Sequence, residues 1–552
     1  APSAAGQAKA LERAYEISGV SPATIGLVEA HGTGTVAGDA EELSALDKVY
    51  RAAGAKPGTV ALGSVKSMIG HTKAAAGSAS LIKAALALHY KTLPPTLQVK
   101  EPLKVLKEAA SPFYLNTETR PWLSDGAPRR AAVSAMGFGG TNFHVILEEA
   151  SPEKTETDWD GDIQLAAFSA PDKRALKAQL PKWQEKRSWD EVRLLARQSR
   201  DSFKSSDPCR LVLALENGKT DVPRLAADAA RALDGEAEHW TLPEGAYYAS
   251  GPAQQAAVLF PGQGAQYPGM LKDLARTFPQ ALETVSKAAA LEVKGGKLGS
   301  LLYPAPVFDD AARKRQAELL KDTAAAQPAL GAVELAAWKT LAHFGLKPAA
   351  FAGHSYGELA ALCAAGALDE DKFFALSALR GALMSGEPGA RGGMLAVQAP
   401  LPEIEKALAE EKLSLSVANK NAPLQTALSG KLDEIDRAAQ AFSKRGLKCT
   451  KLQVSAGFHS ALVADALAPF KEGITKAGFR PPVLPVYANK SAAPYPREGA
   501  SCAELLAAQL ASPVEFVSMI NAMHESGVRV FVETGPGARL TGLVDAILAG
   551  KP

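Results

Sequence analysis

Cysteine is scarce in this 552-residue chain. Only Cys209, Cys363, Cys449 and Cys502 occur, far apart and without a CxxC pair, so neither a disulfide framework nor a zinc knuckle is signalled, and a reducing cytoplasm fits best. There is no uninterrupted apolar run of about 18 residues and no basic-then-apolar leader, which predicts a soluble chain that does not enter a membrane. Charge is balanced: 61 basic residues face 59 acidic ones, and no block of like charge is long enough to act as an arm for nucleic acid or an anionic membrane. No internal repeat is found. With 47% hydrophobic residues, the length predicts roughly two to four domains, each with its own core.

Against this background the segment Gly353-His354-Ser355-Tyr356-Gly357-Glu358 stands out, because it follows a short apolar stretch, Ala349 to Ala352, and precedes a helical one. Glycines on both sides of a serine permit a turn too tight for side chains. Such a turn lifts the hydroxyl above a sheet and onto a helix start, where free N–H groups stabilise a developing oxyanion. The chemistry this predicts is acyl transfer through a serine ester.

The chain divides by texture. Residues 1–150 open with a helical pattern, Ala8 to Ser18, continue with a strand-like Ile25 to Ala30 against a glycine-rich turn, and end in Phe143-His144-Val145-Ile146-Leu147, expected to be a buried strand. Residues 151–254 begin acidic and then carry short strand and helix candidates, Arg210 to Leu215 and Val222 to Leu233, which predicts a small α/β linker domain. A third domain, residues 255–552, starts at the apolar Ala256 to Phe260 and the turn Pro261-Gly262. Within it, residues 392–454 alternate β-like stretches (Met394 to Val397, Leu413 to Val417, Gln425 to Ser429) with helical ones, which predicts an inserted subdomain.

In the third domain, Phe260-Pro261-Gly262-Gln263-Gly264-Ala265-Gln266, the serine turn, Leu379-Arg380-Gly381-Ala382-Leu383-Met384, Gly392 to Val397, Val454-Ser455-Ala456-Gly457-Phe458-His459-Ser460 and Val530 to Gly537 follow in order. This series resembles the malonyl-type acyltransferases of fatty acid and polyketide synthases. The resemblance implies an α/β-hydrolase-like core with an inserted ferredoxin-like subdomain. It assigns Ser355 as nucleophile and His459 as base, the histidine oriented by a backbone carbonyl and not by an acid. The backbone N–H groups of Gln263 and Tyr356 become the oxyanion donors, and Arg380 becomes the grip on the free carboxylate of malonate. A guanidinium suits that task, since it offers two parallel hydrogen bonds where lysine offers a point charge. Outside this pattern Arg380 would read as a solvated surface residue and His459 as a structural histidine.

Phe458 stands where these enzymes vary with the extender unit. A ring there resembles malonyl-selective members; one methyl is worth only about 1–3 kcal/mol of discrimination, so this is a preference. Ala456-Gly457 departs from the commonest malonyl pattern. Asn419, in Val417 to Pro423, falls in a pocket-lining motif of the family, although an asparagine before a proline turn has an equally plain reading.

In the first domain, His31-Gly32-Thr33-Gly34-Thr35 with Gly38-Asp39, then Ser64 to His71, then Gly137-Phe138-Gly139-Gly140-Thr141-Asn142 resemble the C-terminal part of a thiolase-fold β-ketoacyl synthase. The resemblance assigns His31 and His71 to malonyl decarboxylation, with Lys66 in support; neutral imidazole N–H groups stabilise an enolate. No cysteine precedes Cys209, and none of the four stands in that family's nucleophile motif. The thiolase fold is therefore expected to be incomplete, as if the chain were cut within a domain, and ketosynthase activity is not expected from it alone.

These readings converge on a fragment of an iterative type I polyketide or polyunsaturated fatty acid synthase. Its expected partners are malonyl-CoA, an acyl carrier protein that brings its own phosphopantetheine, and the remaining ketosynthase half, with a homodimer through the ketosynthase. No tightly bound cofactor, metal, nucleic acid or membrane is expected. Two other classes stay open: a serine esterase or thioesterase built on the same serine and histidine, and a non-catalytic docking fragment for the ketosynthase part.

Overall fold

In a computed structural model, residues 2–551 are described except 138, 387–390 and 455. They form two units: residues 1–157 together with 255–552, and residues 158–254.

The first part of the larger unit begins with α1 (Ala4–Ser18), whose N-cap Ser3 accepts a hydrogen bond from Gly6 N–H. It continues through β1 (Leu27–Glu29), α2 (Val36–Ala52), β2 (Val60–Gly63), α3 (Ala76–Tyr90), β3 (Phe113–Leu115), β4 (Arg130–Met136) and β5 (Asn142–Glu148). The sheet order is β3-β2-β1-β4-β5, parallel except for the final antiparallel pair. Val28, Leu46, Tyr50 and Val60 fill the space between sheet and helices.

One expectation is corrected here. Phe143 to Leu147 does form a strand, but at the sheet's edge, with Phe143 62% and Val145 45% exposed. Among the described residues the strand has a single hydrogen-bonded neighbour, and side chains alternate between faces, so of Phe143 to Leu147 His144 and Ile146 turn toward α1. The motif Gly137 to Asn142 includes Phe138, which lies outside the described residues.

The smaller unit is a four-stranded antiparallel sheet. Its strands are β6 (Ile163–Ala170), β7 (Cys209–Glu216), β8 (His239–Leu242) and β9 (Ala246–Ser250), in the order β8-β9-β7-β6. It packs α4 (Trp189–Ser202), opened by a Ser188–Glu191 capping box, and α5 (Val222–Ala232) around Phe168, Trp183, Leu211 and Leu213.

Residues 255–552 are built on a parallel sheet. β10 (Gln255–Phe260) lies between β11 (Ala350–Gly353) and β17 (Val528–Glu533), and β16 (Val486–Tyr487) lies beyond β11. The inner strands are continuous apolar runs because both faces are covered. Against them lies α6 (Thr323–His343), rich in small residues and buried almost all round, as a core helix must be. Then come α7 (Gly357–Ala364) and α8 (Glu370–Met384).

The inserted subdomain runs β12 (Gly393–Gln398), α9 (Leu401–Glu410), β13 (Ser416–Ala422), β14 (Gln425–Gly430), α10 (Leu432–Lys444), β15 (Lys448–Leu452). Its antiparallel order, β13-β14-β12-β15, is the ferredoxin-like arrangement. β13 starts at Ser416 and not at Leu413, because Leu413 seals the subdomain core beneath α9 after a left-handed turn at Lys412. The chain closes with α11 (Gly499–Ala508), a 3₁₀ turn (Gln509–Ala511) and α12 (Arg539–Ile547).

All four strands of the parallel sheet point their carboxyl ends the same way. The loops that follow them carry Gln263, Ser355, Asn489 and Thr534, and that rim is where an open parallel sheet holds its ligands.

Candidate active site

Ser355 sits between β11 and α7 with φ +53°, in the left-handed region that non-glycine residues rarely adopt. Its neighbours must be glycine. A Cβ on Gly353 would stand 2.0 Å from the carbonyl carbon of Gly357, and one on Gly357 would stand 2.1 Å from the carbonyl oxygen of Phe260. The turn is tied from below by Asn489, whose Oδ1 accepts the Ser355 N–H at 2.6 Å while its Nδ2 donates to the Gly353 carbonyl at 2.5 Å. His354 is held in turn by Asn421, with Nε2 donating to Oδ1 at 2.7 Å.

The Ser355 hydroxyl lies 2.7 Å from His459 Nε2. On the other side of the ring, Nδ1 lies 3.1 Å from the main-chain carbonyl of Gln509. A carbonyl can only accept, so Nδ1 carries the proton and Nε2 is left to receive the serine's. His459 is 3% exposed, and burial, followed by the charge of Arg380, pushes its pKa down to about 3. The imidazole is therefore neutral at physiological pH and ready to act as a base.

Two main-chain amides lie next to this pair in the chain or in the fold. The loop carrying Gln263 lies against the turn, since a Cβ on Gly262 would stand 2.5 Å from the His354 carbonyl oxygen. The Gln263 side chain donates to Thr323 Oγ1 at 3.1 Å. Tyr356 follows the serine at the start of α7. Among the described residues, neither the Gln263 nor the Tyr356 N–H has a protein acceptor.

Arg380, on α8, is 1% exposed. Its guanidinium packs over the Tyr356 ring at 5.8 Å and donates to Gln509 Oε1 at 3.1 Å. Burial lowers its pKa to about 10, so it remains a cation. Among the described residues it has no ion-pair partner. A buried cation hydrogen-bonded to a neutral amide, with the Glu358 carboxyl acting on it only through space, carries a cost that a carboxylate ligand would relieve.

Phe458 is buried beside His459, and Ser455 of the same motif lies outside the described residues. Asn419 is buried in β13, opposite Ala427, with a main-chain bridge to Val514. The asparagine that reaches the serine turn is Asn421.

Three participants, Asn489, Gln509 and Tyr495, lie outside the motifs read from the sequence, and a fourth, Glu358, ends the serine segment without an assigned role. Asn489, Gln509 and Tyr495 come from loops and turns far along the chain, and Glu358 lies one turn after the serine. Glu358 is fully buried and accepts from Asn489 N–H at 3.0 Å, from Gln509 Nε2 at 3.3 Å and from the Tyr495 hydroxyl; burial raises its pKa to about 7. The one available signal for Gln509 was a lone amide within the apolar run Leu505 to Leu510.

The first domain holds a second cluster. The His31 and His71 rings meet edge to face with centroids 5.5 Å apart. Burial, then Lys66 and His71, lower His31 to about 4, and burial lowers Lys66. Neither His31 Nδ1 nor Lys66 Nζ has a hydrogen-bond partner among the described residues. The turn that begins at His31 is shaped by Glu42, which accepts the N–H groups of His31 and Gly32 at 2.8 and 2.9 Å, and by Asp39, which accepts that of Thr33 at 3.0 Å.

A parallel α/β sheet presenting a serine on a glycine turn, a histidine in hydrogen-bond reach and an inserted ferredoxin-like subdomain defines a serine acyl transferase. The chain belongs to that family: the acyl transferase domain model matches residues 258–549. The β-ketoacyl synthase C-terminal domain matches residues 1–100, and the ketoacyl-synthetase C-terminal extension matches residues 106–210. Over its whole length the chain is 35% identical to a polyunsaturated fatty acid synthase polypeptide of Thraustochytrium sp. and 34% identical to the spectinabilin polyketide synthase system protein NorB of Streptomyces orinoci. It spans 21% and 25% of those two proteins. Among solved structures, it resembles the acyltransferase domain of an iterative polyketide synthase in enediyne biosynthesis, with TM-score 0.54 and 28% identity over 70% of this chain and 89% of that one. The acyl transferase domain of SpnD gives TM-score 0.58 and 26% identity over 72% of this chain and 90% of that one. Among the described residues no helix is long and apolar enough to cross a membrane.

Proposed function

We propose that residues 255–552 move a malonyl group from malonyl-CoA, through an ester on Ser355, to the phosphopantetheine thiol of an acyl carrier protein, within a larger synthase of polyketides or polyunsaturated fatty acids. The observation that carries this reading is the buried Arg380 cation, without an ion-pair partner among the described residues, joined through Gln509 to the Ser355–His459 pair. A neutral ester offers that cation nothing, whereas the free carboxylate of malonate completes it.

In the first half-reaction Ser355 Oγ attacks the thioester carbonyl while His459 Nε2 takes its proton. The oxyanion meets the N–H groups of Gln263 and Tyr356, and collapse expels the coenzyme A thiolate, which takes the proton back from the imidazolium. In the second, the carrier's thiol gives its proton to His459 and attacks the malonyl ester; the C–O bond breaks, and Ser355 Oγ takes the proton back from the imidazolium as it leaves. Phe458 and Asn419 line the pocket around the α-carbon, and Phe458 favours malonyl over methylmalonyl. The steps use only these side chains and the two thiols, so phosphopantetheine arrives with the carrier. Free cysteines and CoA thioesters suit a cytoplasmic setting.

Residues 1–150 we read as the C-terminal part of a thiolase-fold ketosynthase. Its His31, His71 and Lys66 would serve malonyl decarboxylation only beside a cysteine from another stretch of polypeptide, and a homodimer would form through that assembly. Residues 151–254 are its linker to the acyltransferase.

The test is intact mass after incubation with malonyl-CoA, for the wild type and Ser355→Ala, with acetyl-CoA and methylmalonyl-CoA as competitors. A malonyl adduct on the wild type alone supports the reading. Absence of an adduct, with p-nitrophenyl ester hydrolysis retained, replaces it with a hydrolase.

A further inference from the structure

Gln509 makes hydrogen bonds to His459, Arg380, Glu358 and the main chain of Ser355. Its main-chain carbonyl orients His459; its side-chain Oε1 accepts from Arg380 Nη2 at 3.1 Å; its Nε2 donates to the Ser355 carbonyl at 2.6 Å and to Glu358 Oε2 at 3.3 Å. We propose that the Gln509 side chain keeps Arg380 available for a dicarboxylic acyl group, by supplying the guanidinium's hydrogen-bond acceptor as a neutral amide while its other end holds the Glu358 carboxyl, which acts on Arg380 only through space. This rests on the malonyl reading of the site.

The amide has only one workable orientation. Its NH₂ faces two oxygens that can only accept, and its oxygen faces a guanidinium that can only donate, so a flip would set oxygen against oxygen and N–H against N–H. With both ends satisfied and the residue almost wholly buried, the clamp is rigid. A guanidinium has five N–H donors, and the amide occupies one of them, leaving the planar fork free for two parallel bonds to a carboxylate. A carboxylate at position 509 would sit where the amide oxygen is, pair with the cation and take from it the charge that the substrate needs. The neutral side chain is thus a requirement of malonate recognition. The main-chain carbonyl that serves His459 is present whatever the side chain, so the two tasks of this residue can be separated.

The experiment compares single-turnover acylation of Ser355 by malonyl-CoA and acetyl-CoA in the wild type, Gln509→Glu and the similarly shaped Gln509→Met. The proposal expects the malonyl-to-acetyl ratio of kcat/KM to fall roughly tenfold to a hundredfold in Gln509→Glu, mostly through the malonyl KM, and by less in Gln509→Met, over and above any loss the two substrates share. Thermal melting of each variant identifies a folding failure, and Gln509→Met carries the comparison if the charged variant does not fold. A ratio unchanged in the folded variants, or equal losses for both acyl groups, overturns the proposal. A wild type that itself prefers acetyl overturns the malonyl reading first, and is recognised as such without any variant.

Discussion

The side-chain oxygen of Asn489 accepts the main-chain N–H of Ser355 at 2.6 Å, so an asparagine 134 positions away fastens the turn that carries the nucleophile. Asn489→Ala removes both of its bonds to the turn and leaves a buried N–H and a buried carbonyl without partners. The expected cost is about 1–3 kcal/mol of stability for each orphaned group. Slower malonylation of Ser355 should accompany it. Thermal denaturation and the rate of adduct formation check this; unchanged melting and unchanged rate would remove Asn489 from the account of the turn.

The elbow glycines make a steric prediction. Gly353→Ala drives a Cβ to 2.0 Å from the Gly357 backbone, which costs about 3 kcal/mol or more and is expected to prevent accumulation of folded protein. Gly542→Ala, inside α12, meets nothing within 4 Å and should stabilise the fold by up to about 1 kcal/mol. Melting temperatures of the two variants test both signs.

His459→Ala should lower acylation by about 10²–10⁴-fold. The pH profile is more specific. A base works when deprotonated, so its rate falls as pH drops through its pKa. With His459 pushed down to about 3, single-turnover acylation of the wild type should stay level from pH 8 to pH 5. Arg380→Ala removes a positive neighbour, raises the imidazole pKa and moves the falling limb to higher pH. A wild-type limb near 6.5 would contradict the burial assigned to this histidine.

Arg380→Ala should raise the malonyl KM roughly tenfold to a hundredfold while acetyl loading falls less or rises, because only the dicarboxylic group uses the guanidinium. Arg380→Lys should recover little of the loss, since an ammonium presents no planar fork. Paired kcat/KM values for the two acyl-CoAs decide the matter, and an equal loss for both would make Arg380 a structural residue.

The two asparagines of β13 show why part of the site was illegible. Asn419 and Asn421 are two apart, and strict alternation would give them one face. The pairing of β13 with β14 shifts register between Val417 and Asn419 and again between Lys420 and Ala422, so alternation does not decide which asparagine meets His354. Phe143 teaches the same lesson from the other side: its apolar strand was readable, but its exposure follows from a place at the sheet's edge.

Sequence by itself determined the local devices of this protein. Gly353 is demanded by a contact only four residues on, with Gly357, the apolar runs of β10 and β11 announce a sheet covered on both faces, and the order of motifs separates the chain into its parts; Gly357, by contrast, is demanded by the Phe260 carbonyl of the neighbouring strand. Tertiary structure decided which side chains meet. Parallel strands are joined only through long crossovers, so the rim where they end collects residues separated by more than a hundred positions: His459 is 104 from Ser355, and Gln509 is 154. Nothing in a stretch of apolar residues says that its one amide will stop between a base, a cation and a nucleophile; only the closing of the parallel sheet brings it there.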